Sequence, residues 1–336
     1  MSVLRSWDIE GLLGWVETSQ AAVATLLNED DLKVRPVAVP TQELRQYLRD
    51  LTRVRDAICD SVVDSYGVEV PIKAAALYRP LLQLMPSWLR ELPDLGSTIP
   101  FFTLNYDPAV ESAISLLQER RDSVPGLRLI DGLRDTRGAT GRHWHRAAFE
   151  EYAPDQEHTD VVLVKLHGSV RWGRSVDRIS ELQLGVNRDP GRFKHAILDP
   201  TLLPKALDLE PFHTGYRLLD RCLLSARVLV VIGSSLRDKE LGKAIADGFD
   251  DNANLHLLVI GPHAHHEEIA TQLQLDSARV AALQAYFELP EDPYQVPLIQ
   301  GLRPLILEAC GAARDAGRPR YGTTYLIKNS GLQPVA

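Results

Sequence analysis

The sequence predicts an α/β fold, with a mostly parallel sheet covered by helices on both faces and a helical segment in front of it. Three observations predict it. From residue 99 onward short apolar runs alternate with amphipathic stretches, as parallel strands joined by crossover helices require. The residues before that show helical periodicity only. Three of the apolar runs also end in small or polar residues, as strands do where an open α/β sheet meets its ligand. These are Ile99–Leu104 running into Asn105-Tyr106-Asp107, Val161–Lys165 running into His167-Gly168-Ser169, and Val228–Ile232 running into Gly233-Ser234-Ser235.

Taken in order, Ile9 to Leu27 carries Leu12, Leu13, Val16, Val23, Leu26 and Leu27 at helical spacing. A proline-containing break covers Arg35 to Pro40. Thr41 then stands as an N-cap, and Leu44, Leu48, Leu51, Val54, Ile58 and Val62 line one face of a second helix. A third helix is expected over Ile72 to Leu92, interrupted near Pro80 and Pro86. Strand 99–104 precedes helix 107–121, and a strand at 127–131 leads into an arginine-rich irregular stretch. Strand 161–166 precedes a long loop-rich connection. Helix 213–225, strand 227–232, helix 238–248 and strand 255–260 follow, then helices at 264–274 and 294–313. The tail from Gly317 reads as an arm or a loose end. The domain reading is therefore a helical segment 1–95, an α/β core 96–315 and a C-terminal arm or tail 316–336.

Composition narrows the function classes. With 336 residues, 45% of them hydrophobic, the chain can bury a large core. Lys and Arg number 37 against 45 Asp and Glu, a net charge of -8, which is the wrong sign for general nucleic-acid binding. The three cysteines, Cys59, Cys222 and Cys310, are widely spaced and form neither a disulfide framework nor a four-cysteine zinc site. No run reaches the roughly 20 apolar residues of a membrane span, and the first residues lack the apolar centre of a secretory signal. A cytoplasmic protein is expected.

Three strand ends carry the candidate chemistry. Asn105 and Asp107 admit a structural reading, with Asp107 as N-cap and Pro108 at the first helical position. They also admit a functional one, with an amide and a carboxylate facing the crevice above the sheet to hold a ribose or a carboxamide. A lone histidine is ordinarily a hydrogen-bonded core residue. At a strand end followed by glycine, however, His167 suits a general base acting on a sugar hydroxyl or water, and Gly168 permits a sharp turn and close ligand approach. Gly233-Ser234-Ser235 joins a strand to a helix, where backbone N–H groups and hydroxyls bind phosphate or ribose oxygens. That turn alone is unspecific, and the chain holds neither a G-x-G-x-x-G fingerprint nor a Walker A loop.

Two histidine groups, His143-Trp144-His145 and His263-Ala264-His265-His266, lack a second set of ligands and read as surface loops. Arg128, Arg134, Arg137, Arg142 and Arg146 read as a solvated flexible connection, with a phosphate-facing lid as the lesser alternative.

Together the three loops resemble the SIR2-like (sirtuin-related) domain family in its bacterial defence-type branch. That branch shows T-x-N-Y-D, K-L-H-G-S and G-x-S-L-x-D in this order. Here they stand as Thr103-Leu-Asn-Tyr-Asp107, Lys165-Leu-His-Gly-Ser169 and Gly233-Ser-Ser-Leu-Arg-Asp238. Ile197-Leu-Asp-Pro-Thr-Leu-Leu-Pro-Lys205 looks similar as well, and the resemblance covers about residues 8–290.

The resemblance implies a Rossmann-like fold that binds NAD+ and breaks its nicotinamide–ribose bond. His167 would be the catalytic base, and Asn105 would hold the ribose or the attacking water. Asp107 would recognise the carboxamide, and Gly233, Ser234 and Ser235 would hold the ADP-ribose half. Thr103, Gly168 and Leu236 complete the expected ligand-contacting set, with no metal.

Two departures from the family shape the expectation. The zinc module of deacylating sirtuins cannot be built from three cysteines, which favours NAD+ hydrolysis of an antiviral-defence or toxin type over lysine deacylation. The family's opening strand and G-A-G-x-S loop do not occur in this sequence. Either the true amino terminus lies upstream of Met1, or the protein is a natural remnant that binds NAD+ poorly or not at all. The alternative function is then a catalytically inactive NAD+ or ADP-ribose sensor or scaffold. The expected partners are NAD+ or ADP-ribose, together with a second copy of the chain or a defence-system partner protein, without direct contact to nucleic acid or membrane.

Overall fold

A computed structural model describes residues 9–28, 41–67, 70–91, 98–119, 126–135, 141–152, 158–174, 179–182, 194–197, 207, 209–285, 297–309, 321–328 and 331–335. Three helices come first: α1 (Ile9–Asn28), α2 (Thr41–Gly67) and α3 (Val70–Glu91). Val16 and Val23 of α1 bury against Leu51 of α2, on the apolar stripe read from the sequence. Helix α3 runs unbroken through Pro80 and Pro86. The expected interruption is absent because packing of Ala75, Leu81 and Leu82, each at most 5% exposed, outweighs the two lost backbone hydrogen bonds. The break at Arg35–Pro40, Arg137, and most of Ile197–Lys205 lie outside the described residues.

The first parallel sheet has the order β1 (Thr98–Thr103), β5 (Thr159–Lys165), β2 (Leu127–Ile130). Its register pairs Thr103 with Lys165 and Ile130 with Val162. Helix α4 (Ala109–Glu119) follows β1. The second sheet runs β13 (Gly331–Pro334), β12 (Thr323–Lys328), β11 (Val280–Gln284), β10 (His256–Ile260), β9 (Val228–Ile232), parallel except for β13. Thus the expected alternation holds, while β11 and the tail strands β12 and β13 were not foreseen. Of the two readings of the tail, the packed arm is the one observed: its strands extend the sheet.

Period-two alternation sorts each strand between two layers. Phe102, Val162, Val164, Leu229, Val231, Leu257, Val259 and Ala282 share one cluster with α6 (Phe212–Ser225), α7 (Lys239–Asp251) and α8 (His266–Leu273). Phe101, Val228, Val230, Leu258, Ile260, Ala281 and Leu283 face Leu81 and Met85 of α3 and Leu302 and Leu305 of α9 (Pro297–Ala309). Because Phe101 and Met85 also belong to the cluster of α4 with Ile99, Val161 and Leu163, the two parallel sheets share their covering layers. Each fully buried Leu or Ile in these clusters contributes about 1.5–3 kcal/mol.

A third sheet, entirely antiparallel, has the order β3 (Leu133–Asp135), β4 (Arg142–Trp144), β7 (Ile179–Glu181), β6 (Gly168–Arg174), β8 (Lys194–Ile197), with the short helix α5 (Ala147–Glu150) between β4 and β5. It overturns two expectations. His143 is not on a surface loop: it is 8% exposed on β4, with Nδ1 2.8 Å from Ser180 Oγ. Nor are the described arginines a free solvated run. Arg128 grips the buried Asp160 through two bonds of 2.6 and 3.0 Å, Arg142 meets Asp131 at 2.5 Å, and Arg134 meets Glu151 at 2.7 Å. Strands of three residues around charged side chains carry too little periodicity to be read from sequence. Leu133, Trp172 and Ile179 supply the apolar core of this sheet.

Candidate functional site

The three motif loops leave the carboxyl ends of β1, β5 and β9, and in each the sequence explains the turn. After β1, Thr103 Oγ1 accepts the Asn105 N–H at 3.0 Å, and Asp107 Oδ1 accepts the Ala109 N–H at 2.8 Å. These two side chains close the loop at both ends and cap the first turn of α4. The structural reading of Asp107 is therefore correct as far as it goes. Asn105 lies between them with an exposed side chain, its Nδ2 3.4 Å from Tyr78 Oη.

Beneath this loop sits a cation that sequence reading did not single out. The Lys165 side chain, only 2% exposed, donates from Nζ to the Asp107 carbonyl and lies 3.3 Å from Glu111 Oε1. Burial pushes the Glu111 carboxyl above its ordinary range, and the Lys165 charge offsets only part of that. Strand β5 thereby holds the loop that follows β1.

His167 falls between β5 and β6, and Gly168 takes φ 90° to redirect the chain into the antiparallel sheet. The residue is buried, 6% exposed. The Tyr106 ring lies 6.4 Å from its imidazole, and the Tyr106 carbonyl accepts the Val170 N–H at 3.0 Å. His167 Nε2 is also 3.1 Å from Asp238 Oδ2. The second and third motifs thus meet directly through side chains, and the first and second through backbone and ring.

The third loop begins at Gly233, with φ 71° and open space where a side chain would stand. Ser234 Oγ accepts the Leu236 N–H at 3.1 Å, and Ser235 is exposed. Leu236 is buried at 3% yet holds φ 56°, a left-handed conformation that costs a branched aliphatic residue about 1–3 kcal/mol. Gln272 Nε2 donates to the Leu236 carbonyl at 2.7 Å and helps hold the turn. Asp238 then caps α7, its Oδ1 accepting the Leu241 N–H at 2.9 Å.

One further group borders this junction. Tyr216, 8% exposed on α6, carries a buried hydroxyl without a hydrogen-bond partner among the described residues. Burial, with the Asp238 charge second, pushes that phenol upward. No motif marks Tyr216 in the sequence; it follows Gly215, the residue through which α6 approaches Val164 and Leu166 closely. Separately, a cleft of about 370 Å³ lies beside β2 and α5, lined by Arg128, Asp131, Arg134, Glu151 and Tyr152 among others. None of the motif residues lines it.

Among the described residues, no three His, Cys, Asp or Glu side chains group as metal ligands, and no helix is long and apolar enough to cross a membrane. His265 and His266 stack on each other at the start of α8, and His266 Nδ1 is 2.9 Å from Thr324 Oγ1, a structural contact to the tail strand.

Comparison with known families decides the identity. The profile of the SIR2-like domain matches residues 100–282, more than half of the chain and a span that contains all three loops. The protein belongs to the SIR2-like domain family. No curated protein matches it. Membership implies an NAD+-related function for this SIR2-like protein, and its carboxyl-end rim is where an open α/β sheet presents a ligand.

Proposed function

We propose that this SIR2-like protein is an NAD+ glycohydrolase, working from a core of residues 96–315 that the helical segment 1–95 flanks. The observation that carries the reading is the meeting of His167 with the third motif loop at one rim, beside the loop that presents Asn105. In the proposed reaction the bond between nicotinamide and its ribose breaks, and the electron pair leaves with the nicotinamide ring. The oxocarbenium-like ribose is captured by water, whose proton passes to His167. The products are nicotinamide, ADP-ribose and one proton. Asn105 holds the ribose or the water, Asp107 recognises the carboxamide, and the open backbone at Gly233, with Ser234 and Ser235, holds the ADP-ribose half. Thr103, Gly168 and Leu236 shape these contacts.

The order of the three motifs supports placement in the bacterial defence-type branch, where NAD+ consumption serves antiviral defence. Three cysteines, none adjacent to another, support hydrolysis over zinc-dependent deacylation.

Incubation with NAD+ should release nicotinamide and ADP-ribose in equal amounts. Asn105→Ala tests the site without touching the core, because the Asn105 side chain is exposed and its contact with Tyr78 spans 3.4 Å. Turnover should fall by roughly tenfold to a hundredfold while the thermal midpoint stays put, as expected for a lost polar contact to a reacting group. Binding of ADP-ribose by calorimetry without any nicotinamide release would replace the hydrolase with a sensor.

A further inference from the structure

The geometry points to Asp238 as a positioning residue that sets which nitrogen of His167 carries the proton, an inference that rests on the hydrolase reading for its catalytic meaning. Asp238 stands at the end of the third loop, and its two carboxylate oxygens are divided between two tasks. Oδ1 accepts the Leu241 N–H at 2.9 Å and caps α7. Oδ2 faces His167 Nε2 at 3.1 Å, with the two side chains only 8% and 12% exposed.

An ionised carboxylate can only accept hydrogen bonds, so a neutral imidazole at this distance must donate from Nε2. Its basic lone pair is then on Nδ1. The base that takes the proton from water is accordingly Nδ1, and the carboxylate stabilises the imidazolium that forms. The cap contact fixes the carboxylate on a helix end, so the strand end of β5 and the start of α7 are held in one catalytic register.

The two-task division supplies an isosteric test. In Asp238→Asn the amide oxygen keeps the Leu241 cap, which places the NH₂ group where Oδ2 stood. That group donates, so Nε2 must now accept and the ring proton moves to Nδ1. The helix cap survives while the tautomer inverts. A merely structural Asp238 would leave the ring unchanged.

The measurement is a long-range ¹H–¹⁵N correlation spectrum of ligand-free protein labelled at histidine, with His167→Asn identifying the His167 signals. We expect the Nε2–H form in the parent protein and the Nδ1–H form in Asp238→Asn. The variant should keep its thermal midpoint, lose at least about tenfold in kcat and hold KM within about twofold. Asp238→Ser, which can cap but is too short to reach the ring, guards against a folding defect and should lose activity with a mixed tautomer. Nδ1–H in the parent protein, or parent-like turnover in Asp238→Asn, overturns the inference. Parent protein that carries the Nε2 proton without cleaving NAD+ supports the positioning and overturns the hydrolase reading instead.

Discussion

Lys165→Met should destabilise the protein by about 3–5 kcal/mol, the range for removing one partner of a buried ion pair. Methionine matches lysine in length and volume, so the loss is electrostatic and not a cavity effect. Two groups are stranded at once: the Glu111 carboxyl, whose other oxygen, Oε2, is already buried without a partner among the described residues, and the Asp107 carbonyl. Chemical denaturation with tryptophan fluorescence measures the change. Its pH dependence is specific. Glu111 in the folded protein is raised above its unfolded value, so its contribution is fully present at low pH and is lost as pH rises through the folded pKa. Without the ammonium that pKa rises further, and the deficit of Lys165→Met relative to the parent should be largest at neutral pH and shrink in mildly acidic buffer. A deficit that grows on acidification would show that Glu111 is not the stranded group. Replacing both residues, as Glu111→Leu with Lys165→Met, should recover most of the loss, because a matched apolar pair carries no desolvation cost.

This pair also shows where sequence reading reaches its limit. Lys165 was in plain view inside the second motif, yet a lysine ending a strand ordinarily lies at the surface. Only the parallel register that sets Lys165 beside Thr103, and so under the loop that begins α4, reveals it as a buried tie. By contrast, Asn105, His167 and Gly233 could be read directly, since each ends an apolar run long enough to specify a strand. The α/β layering was legible for the same reason: Val161 and Leu163 face one layer and Val162 and Val164 the other, and Leu257 and Val259 alternate likewise with Leu258 and Ile260, over runs of five to seven residues.

The antiparallel sheet was not legible. His143 and Arg142 sit on a three-residue strand whose partners lie about 40 and 10 residues away, beyond any local signal. Strands β11 and β12 escaped for a different reason. Val280–Gln284 is short and follows closely on an expected helix, and Thr323–Lys328 follows a glycine- and proline-bearing stretch that reads as an arm or a loose end without specifying a strand. In the sequence Asp238 reads as the last letter of a motif and the start of a helix, and nothing more. Its second oxygen, and with it the bridge to His167, depends on the distance between strand ends that no pattern in the chain encodes.

His167→Ala should lower NAD+ cleavage by roughly a hundredfold to ten-thousandfold, the span for removal of a general base. The effect should fall on kcat, because the imidazole acts on the proton that moves in the transition state and not on the dinucleotide as a whole. Nicotinamide release at saturating NAD+ measures it, and calorimetric affinity for ADP-ribose should remain within a few-fold of the parent. Stability is the necessary control. Removing the ring leaves Asp238 Oδ2 without its His167 contact in a site where both side chains are nearly buried, so a loss of about 1–3 kcal/mol is expected as well. His167→Gln distinguishes the two effects. Its amide nitrogen can donate to Asp238 and restore the fold, but an amide has no basic lone pair at physiological pH and cannot restore turnover. Restored stability with abolished cleavage is the result expected. Cleavage that survives in both variants would mean that the proton is taken elsewhere, and the three loops would then have to be read as a binding rim and not as a catalytic one.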